Sequence, residues 1–151
     1  MTRHDLAPPD SVLRAMLERR PRVALVGASI RPERPSYQVM AGLLDQGYDV
    51  VPVHPTYPDV LGRAAFKDLG AIDGRIDVVD VFRRPDATPE IARQAVAIGA
   101  AVLWLQLGVI NHEARRIAEQ GGLVVVMDRC LEVEHHRLIG RRFDAAPAPG
   151  S

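Results

Sequence analysis

A chain of 151 residues, 47% of them hydrophobic and 25% charged, fits one domain with a buried core of its own. Lysine plus arginine and aspartate plus glutamate each total 19, and this zero net charge argues against nucleic acid or an anionic membrane as partner. The single cysteine, Cys130, excludes an intrachain disulfide; residues 1–10 lack a signal-peptide core and no apolar run reaches the roughly 18–20 residues of a bilayer span, so the expected location is cytoplasmic.

In chain order, residues 11–20 read as a short helix with Val12, Leu13, Met16 and Leu17 on one face and Pro21 ending it. Residues 22–27 are an apolar run closed by Gly27, the pattern of a strand buried on both faces. The polar stretch 29–35 leads into a helix over 36–46, with Val39, Met40, Leu43 and Leu44 inward and Gly47 as its stop. Residues 48–53 form a second strand, followed by an irregular stretch in which Leu69, Ala71 and Ile72 are the apolar contacts. A third strand covers 76–82. The helix over 88–98 has Thr88 as candidate cap, Pro89 at its first position and Gly99 at its end. Residues 101–105 are a fourth strand, 111–120 a helix capped by Asn111, and 123–127 a fifth strand.

Apolar strands alternating with helices predict an α/β fold, a Rossmann-like three-layer sandwich with a parallel sheet of about five strands. Residues 1–143 form this single domain, and the Ala/Pro/Gly-rich tail 144–151 is expected to be disordered.

Ligands of open parallel sheets sit beyond the carboxyl ends of the strands. The turn Gly27-Ala28-Ser29 suits a phosphate: Gly27 permits close backbone approach, Ser29 offers a hydroxyl, and the next helix presents its positive end. Arg31 and Arg34 follow, and all basic residues except Lys67 are arginines, which suit bidentate phosphate contacts. The dinucleotide glycine fingerprint is absent, because Ser29 and Pro32 stand where it needs glycine. After the second strand, Val53-His54-Pro55 carries no carboxylate before Asp59, which suits NADP or coenzyme A better than NAD. Phe82 and Arg83 close the third strand as a flat contact and a basic rim, with Arg84 left open. Gln106 and Gly108, an amide and an open backbone, suit the amides of a pantetheine arm. Each of these readings has a plain alternative: a tight turn, a histidine that closes a strand, solvated arginines.

Six motifs recur in order in a known family: Gly27-Ala28-Ser29, Arg34-Pro35-Ser36-Tyr37, the run from Gly47 to Pro55, Val81 to Pro85, Trp104 to Val109, and Met127 to Cys130. Over about residues 21–138 the chain resembles the small stand-alone CoA-binding proteins, a group similar to the nucleotide-binding domain of the succinyl-CoA synthetase α-subunit. The resemblance implies a pyrophosphate loop at Gly27, Ala28 and Ser29, with Arg34 and Tyr37 near the phosphates. It implies His54 and Pro55 beside the adenosine, and Phe82 and Arg83 lining the same cleft. His54 stands where the family usually has asparagine. The ligase domain and active-site histidine segment of succinyl-CoA synthetases are missing.

Other groups point less sharply. Glu132, Glu134, His135 and His136 could ligate a metal, but adjacent histidines point different ways and no second cluster exists, so a structural or solvated segment is expected. Cys130 follows the fifth strand, where Arg129 would favour its thiolate, but a small buried apolar residue is the favoured reading. Trp104 reads as core. No nucleophile–base arrangement or catalytic carboxylate pair has sequence support. The expected function is binding of coenzyme A or an acyl-CoA without an evident catalytic centre. The rivals are an NADP-binding oxidoreductase domain and a CoA-responsive regulatory or interaction module.

Overall fold

The computed structural model describes residues 6–144. Five parallel strands build the sheet: β1 (Val23–Val26), β2 (Val50–Val53), β5 (Val78–Val81), β6 (Val102–Leu105) and β7 (Val124–Val126), ordered β2-β1-β5-β6-β7. Registers such as Val26 opposite both Val53 and Val81 bring the carboxyl ends of β1, β2 and β5 level. Two-residue strands β3 (Asp59–Val60) and β4 (Arg63–Ala64) form an antiparallel hairpin beside β2. The sequence pattern reads this stretch as irregular, because strands this short carry no periodicity to detect.

Alternation along the strands divides the core into two layers. Val26, Val53, Val81 and Leu105 pack with Ile91, Ala92 and Ala95 of α3 (Thr88–Ala97) and with Ala114 and Ala118 of α4 (His112–Gln120). Leu25, Val78 and Trp104 face the opposite layer, with Leu13 and Leu17 of α1 (Asp10–Glu18). Met40 and Leu43 of α2 (Pro35–Asp45) and Leu131 of α5 (Leu131–Leu138) complete it. This is the α/β Rossmann-like sandwich expected, with helices on both faces of a five-stranded parallel sheet. No helix among the described residues is long and apolar enough to cross a membrane. The expected tail beyond Asp144 lies outside the described residues.

Most predicted ends hold, and one local reading needs correction. Asn111 caps α4 as expected, its Oδ1 accepting from Ala114 N–H at 2.8 Å. Thr88 does not cap α3: a 3-10 turn over Pro85–Ala87 precedes it, and its hydroxyl donates back to the Pro85 carbonyl at 2.7 Å. Cys130 follows the favoured reading, a partly buried thiol and not a thiolate. Arg129 pairs with Glu134 at 3.5 Å, and burial pushes the Cys130 thiol up, away from the thiolate.

Residues 131–138 form α5. Glu134 is held by Arg137 and Arg129, while His136 faces Glu132 at 3.7 Å. His135 is fully buried between the Tyr48 hydroxyl on Nδ1 and the Arg141 carbonyl on Nε2, both at 2.8 Å. A carbonyl only accepts, so Nε2 carries the proton and Tyr48 donates to Nδ1. Burial lowers the His135 pKa below its ordinary 6.5. The unfolded chain therefore binds the extra proton first, and stability present above pH 6.5 is lost as pH falls. Tyr48→Phe leaves Nδ1 without its donor and is expected to cost about 1–3 kcal/mol in denaturant unfolding at pH 7.5. An unchanged midpoint would show that the hydroxyl contributes nothing there.

Candidate functional site

In a sheet of order β2-β1-β5-β6-β7 the connections leave β1 in opposite directions, and a crevice opens between the ends of β1 and β5. The cleft there has a volume of about 1060 Å³, at the upper end for a small-molecule site. Three backbone bonds tie its floor: Gly27 and Ala28 N–H donate to the Val53 carbonyl at 3.2 and 3.3 Å, and Phe82 N–H donates to Val26 at 2.8 Å.

Most of the predicted residues meet here. Gly27, Ala28, Ser29 and Arg34 line one wall; Val53, His54 and Pro55 line another; Phe82, Arg83 and Gln106 close the rest. Tyr37 and Gly108 lie outside the lining. Tyr37 is half-buried on α2, and the exposed Gly108 donates its N–H to the Asp128 carboxylate at 2.8 Å.

Gly27 has a reason internal to the protein. Its φ is +90°, and a Cβ would overlap the Phe82 carbonyl oxygen and lie 3.2 Å from Arg83 Cδ. The missing side chain thus lets the first turn cross the end of β5. Ser29 Oγ accepts from Arg31 N–H at 3.0 Å, which leaves the hydroxyl hydrogen to donate into the cleft. Pro35 opens α2 at its first turn, so the positive end of that helix faces the same space.

His54 is fixed in one tautomer. Its Nδ1 accepts from the Thr56 and Tyr57 backbone N–H groups at 3.1 and 3.2 Å, so Nε2 bears the hydrogen. Burial, and next the positive charge of Arg83, lower its pKa and keep it neutral. The ring stacks on Tyr57 with centroids 3.7 Å apart and planes 10° off parallel. The pair makes a flat shelf at the end of β2, on the cleft wall.

Cations outnumber acids along the cleft, where Asp68 and Glu90 are the acidic lining residues. Arg31, Arg34, Lys67 and Arg83 all line the cleft, are exposed, and make no ion pair among the described residues. Arg84 is partly neutralised by Asp86 at 3.5 Å. Glu90 lies on the α3 side and pairs with Arg93 at 3.2 Å. Unpaired cations, a hydroxyl donor and a helix start suit phosphate; the shelf suits a flat base; Gln106 suits an amide chain. These groups fit coenzyme A. Lys67 escaped the sequence reading as a site residue because it comes from the irregular stretch after β2.

Fold and cleft together define a Rossmann-like α/β domain with its opening at the switch in strand order. The chain belongs to the CoA binding domain family, whose model matches residues 21–136. It is 40% identical over 128 residues to the protein YneT of Bacillus subtilis, covering 85% of this chain and 95% of that one. A solved protein of Pyrococcus horikoshii OT3 is 44% identical with a TM-score of 0.88, covering 93% of this chain and 99% of that one. An acetyl-coenzyme A synthetase of Ca. Korarchaeum cryptofilum shares the fold at 23% identity and a TM-score of 0.64, over 72% of this chain and 27% of that one.

Proposed function

We propose that the chain is a coenzyme A or acyl-CoA binding protein that holds the phosphates at its first strand-to-helix turn. The observation that carries this reading is the group of unpaired cations around the β1–β5 crevice, in a chain whose net charge is zero. Ser29, the start of α2, Arg31 and Arg34 take the pyrophosphate in this reading, with Arg83 across the cleft. The His54–Tyr57 shelf lies beside the adenosine, and the pantetheine arm passes Gln106. The proposal is of binding alone. An acyl group would be carried or sensed.

Thermal unfolding with CoA, acetyl-CoA, NAD and NADP in parallel tests this. A ligand at about 100 times its Kd adds roughly 2.7 kcal/mol. For a domain of this size the midpoint should rise by roughly 5–10 °C. The expected result is a rise with the two CoA species and none with NAD or NADP. A rise with NADP alone would replace the proposal with a redox domain, and no rise with any of the four would move the function to protein interaction.

A further inference from the structure

We infer that the cleft selects a 3′-phosphorylated adenosine, and that Lys67 is the cation that reads the 3′-phosphate. The inference rests on the CoA reading above and concerns which part of the ligand this wall recognises.

In sheets of this kind the adenosine ribose lies at the carboxyl end of the second strand, where a carboxylate accepts a free hydroxyl and a cation accepts a phosphate. Here no carboxylate follows β2 before Asp59, which is exposed on β3. A cation is brought there instead, by backbone pairing. His54 N–H donates to the Phe66 carbonyl at 2.9 Å, and Phe66 N–H donates to the Pro52 carbonyl at 3.0 Å. Lys67 therefore sits one residue beyond a fixed contact with the end of β2, and it lines the cleft.

The next residues hold it in place. The Asp68 carboxylate accepts from Ala71 N–H at 2.9 Å, and Leu69 is buried. One oxygen of the adjacent acid, which itself lines the cleft, is thus tied to a 3-10 turn, and Lys67 has no ion pair among the described residues. The neutral His54, with its Nε2 hydrogen, stands on the same wall. Arg31 and Arg34 belong to the first turn and the start of α2, where the pyrophosphate is expected. A lysine is chemically competent for this role. A phosphate monoester carries about −1.5 to −2 charge near pH 7, and a compact ammonium with rotatable donors matches it as a point charge.

The test is titration calorimetry of the full chain with CoA and with 3′-dephospho-CoA, for the parent, Lys67→Gln and Lys67→Arg. The parent should prefer CoA by at least about tenfold, a step typical of one charge-assisted contact. Lys67→Gln should remove most of that preference while leaving dephospho-CoA affinity within about twofold, and Lys67→Arg should restore it. Equal affinity of the parent for both ligands, or a preference that survives in Lys67→Gln, overturns this inference and leaves CoA binding standing. Binding of neither ligand overturns both.

Discussion

Asp80→Asn is expected to match the parent in stability only below the ordinary carboxylate value of 3.8, and to exceed it by several kcal/mol at pH 9. Asp80 lies in β5, the central strand, between Leu25 and Trp104 on the neighbouring strands. It is 0% exposed, and neither carboxylate oxygen has a hydrogen-bond partner among the described residues. A buried charge without a partner is costly, so the group keeps its proton, and burial pushes its pKa up to about 8 from the ordinary 3.8.

The sign follows from proton counting. Between pH 3.8 and 8 the native state binds a proton that the unfolded state has released, so stability falls as pH rises through that window. Each unit is worth about 1.4 kcal/mol, and the loss saturates above pH 8. Asparagine has the same shape and cannot ionise, so it removes this slope. For a domain of about this size each kcal/mol moves the midpoint by roughly 2–4 °C. Melting both proteins from pH 5 to 9 decides the matter, and a difference that stays flat would show Asp80 ionised or solvated throughout.

Gly27→Ala carries the second large effect, and Gly99→Ala supplies its control. Both glycines have positive φ, +90° and +73°, so alanine at either bears the backbone cost of about 1–2 kcal/mol. At Gly99 nothing lies within 4 Å, and the cost stops there. At Gly27 the new Cβ also meets the Phe82 carbonyl, with its carbon at 3.0 Å, and backbone cannot yield as a side-chain tip can. The total should reach roughly 2–5 kcal/mol. CoA affinity should fall with it, since the turn and the Phe82–Arg83 segment are forced apart. Equal losses from the two variants would show that the crossing has room to spare.

The sheet was legible because valine-rich runs such as Val50–Val53 and Val102–Leu105 leave little choice but a strand buried on both faces. The candidate site was legible to the extent that it is built from strand ends. Gly27, His54, Phe82 and Gln106 each follow an apolar run, and topology then brings them together. Lys67 was not legible in this way, since its place depends on Phe66 pairing with β2, a contact 13 residues beyond Val53 that no local pattern encodes. Asp80 left one trace, an acid within Val78–Val81. Helix α5 was hidden because its buried face includes Glu134 and His135, polar residues that periodicity counts as solvent-facing.

Pro52 bears on how copies of this chain behave when crowded. β2 is an edge strand, and Pro52 removes one donor from it, while Phe66 already occupies the neighbouring backbone positions. At the opposite edge Met127 N–H, just past β7, is taken by the Leu6 carbonyl at 2.7 Å. The β2 margin therefore offers no run of open backbone groups for another molecule's strand to zip onto, and the β7 margin is met just past its end. A sheet so rich in valine would otherwise be a template for fibrils; with the β2 margin closed, that edge of the folded chain resists edge-to-edge aggregation.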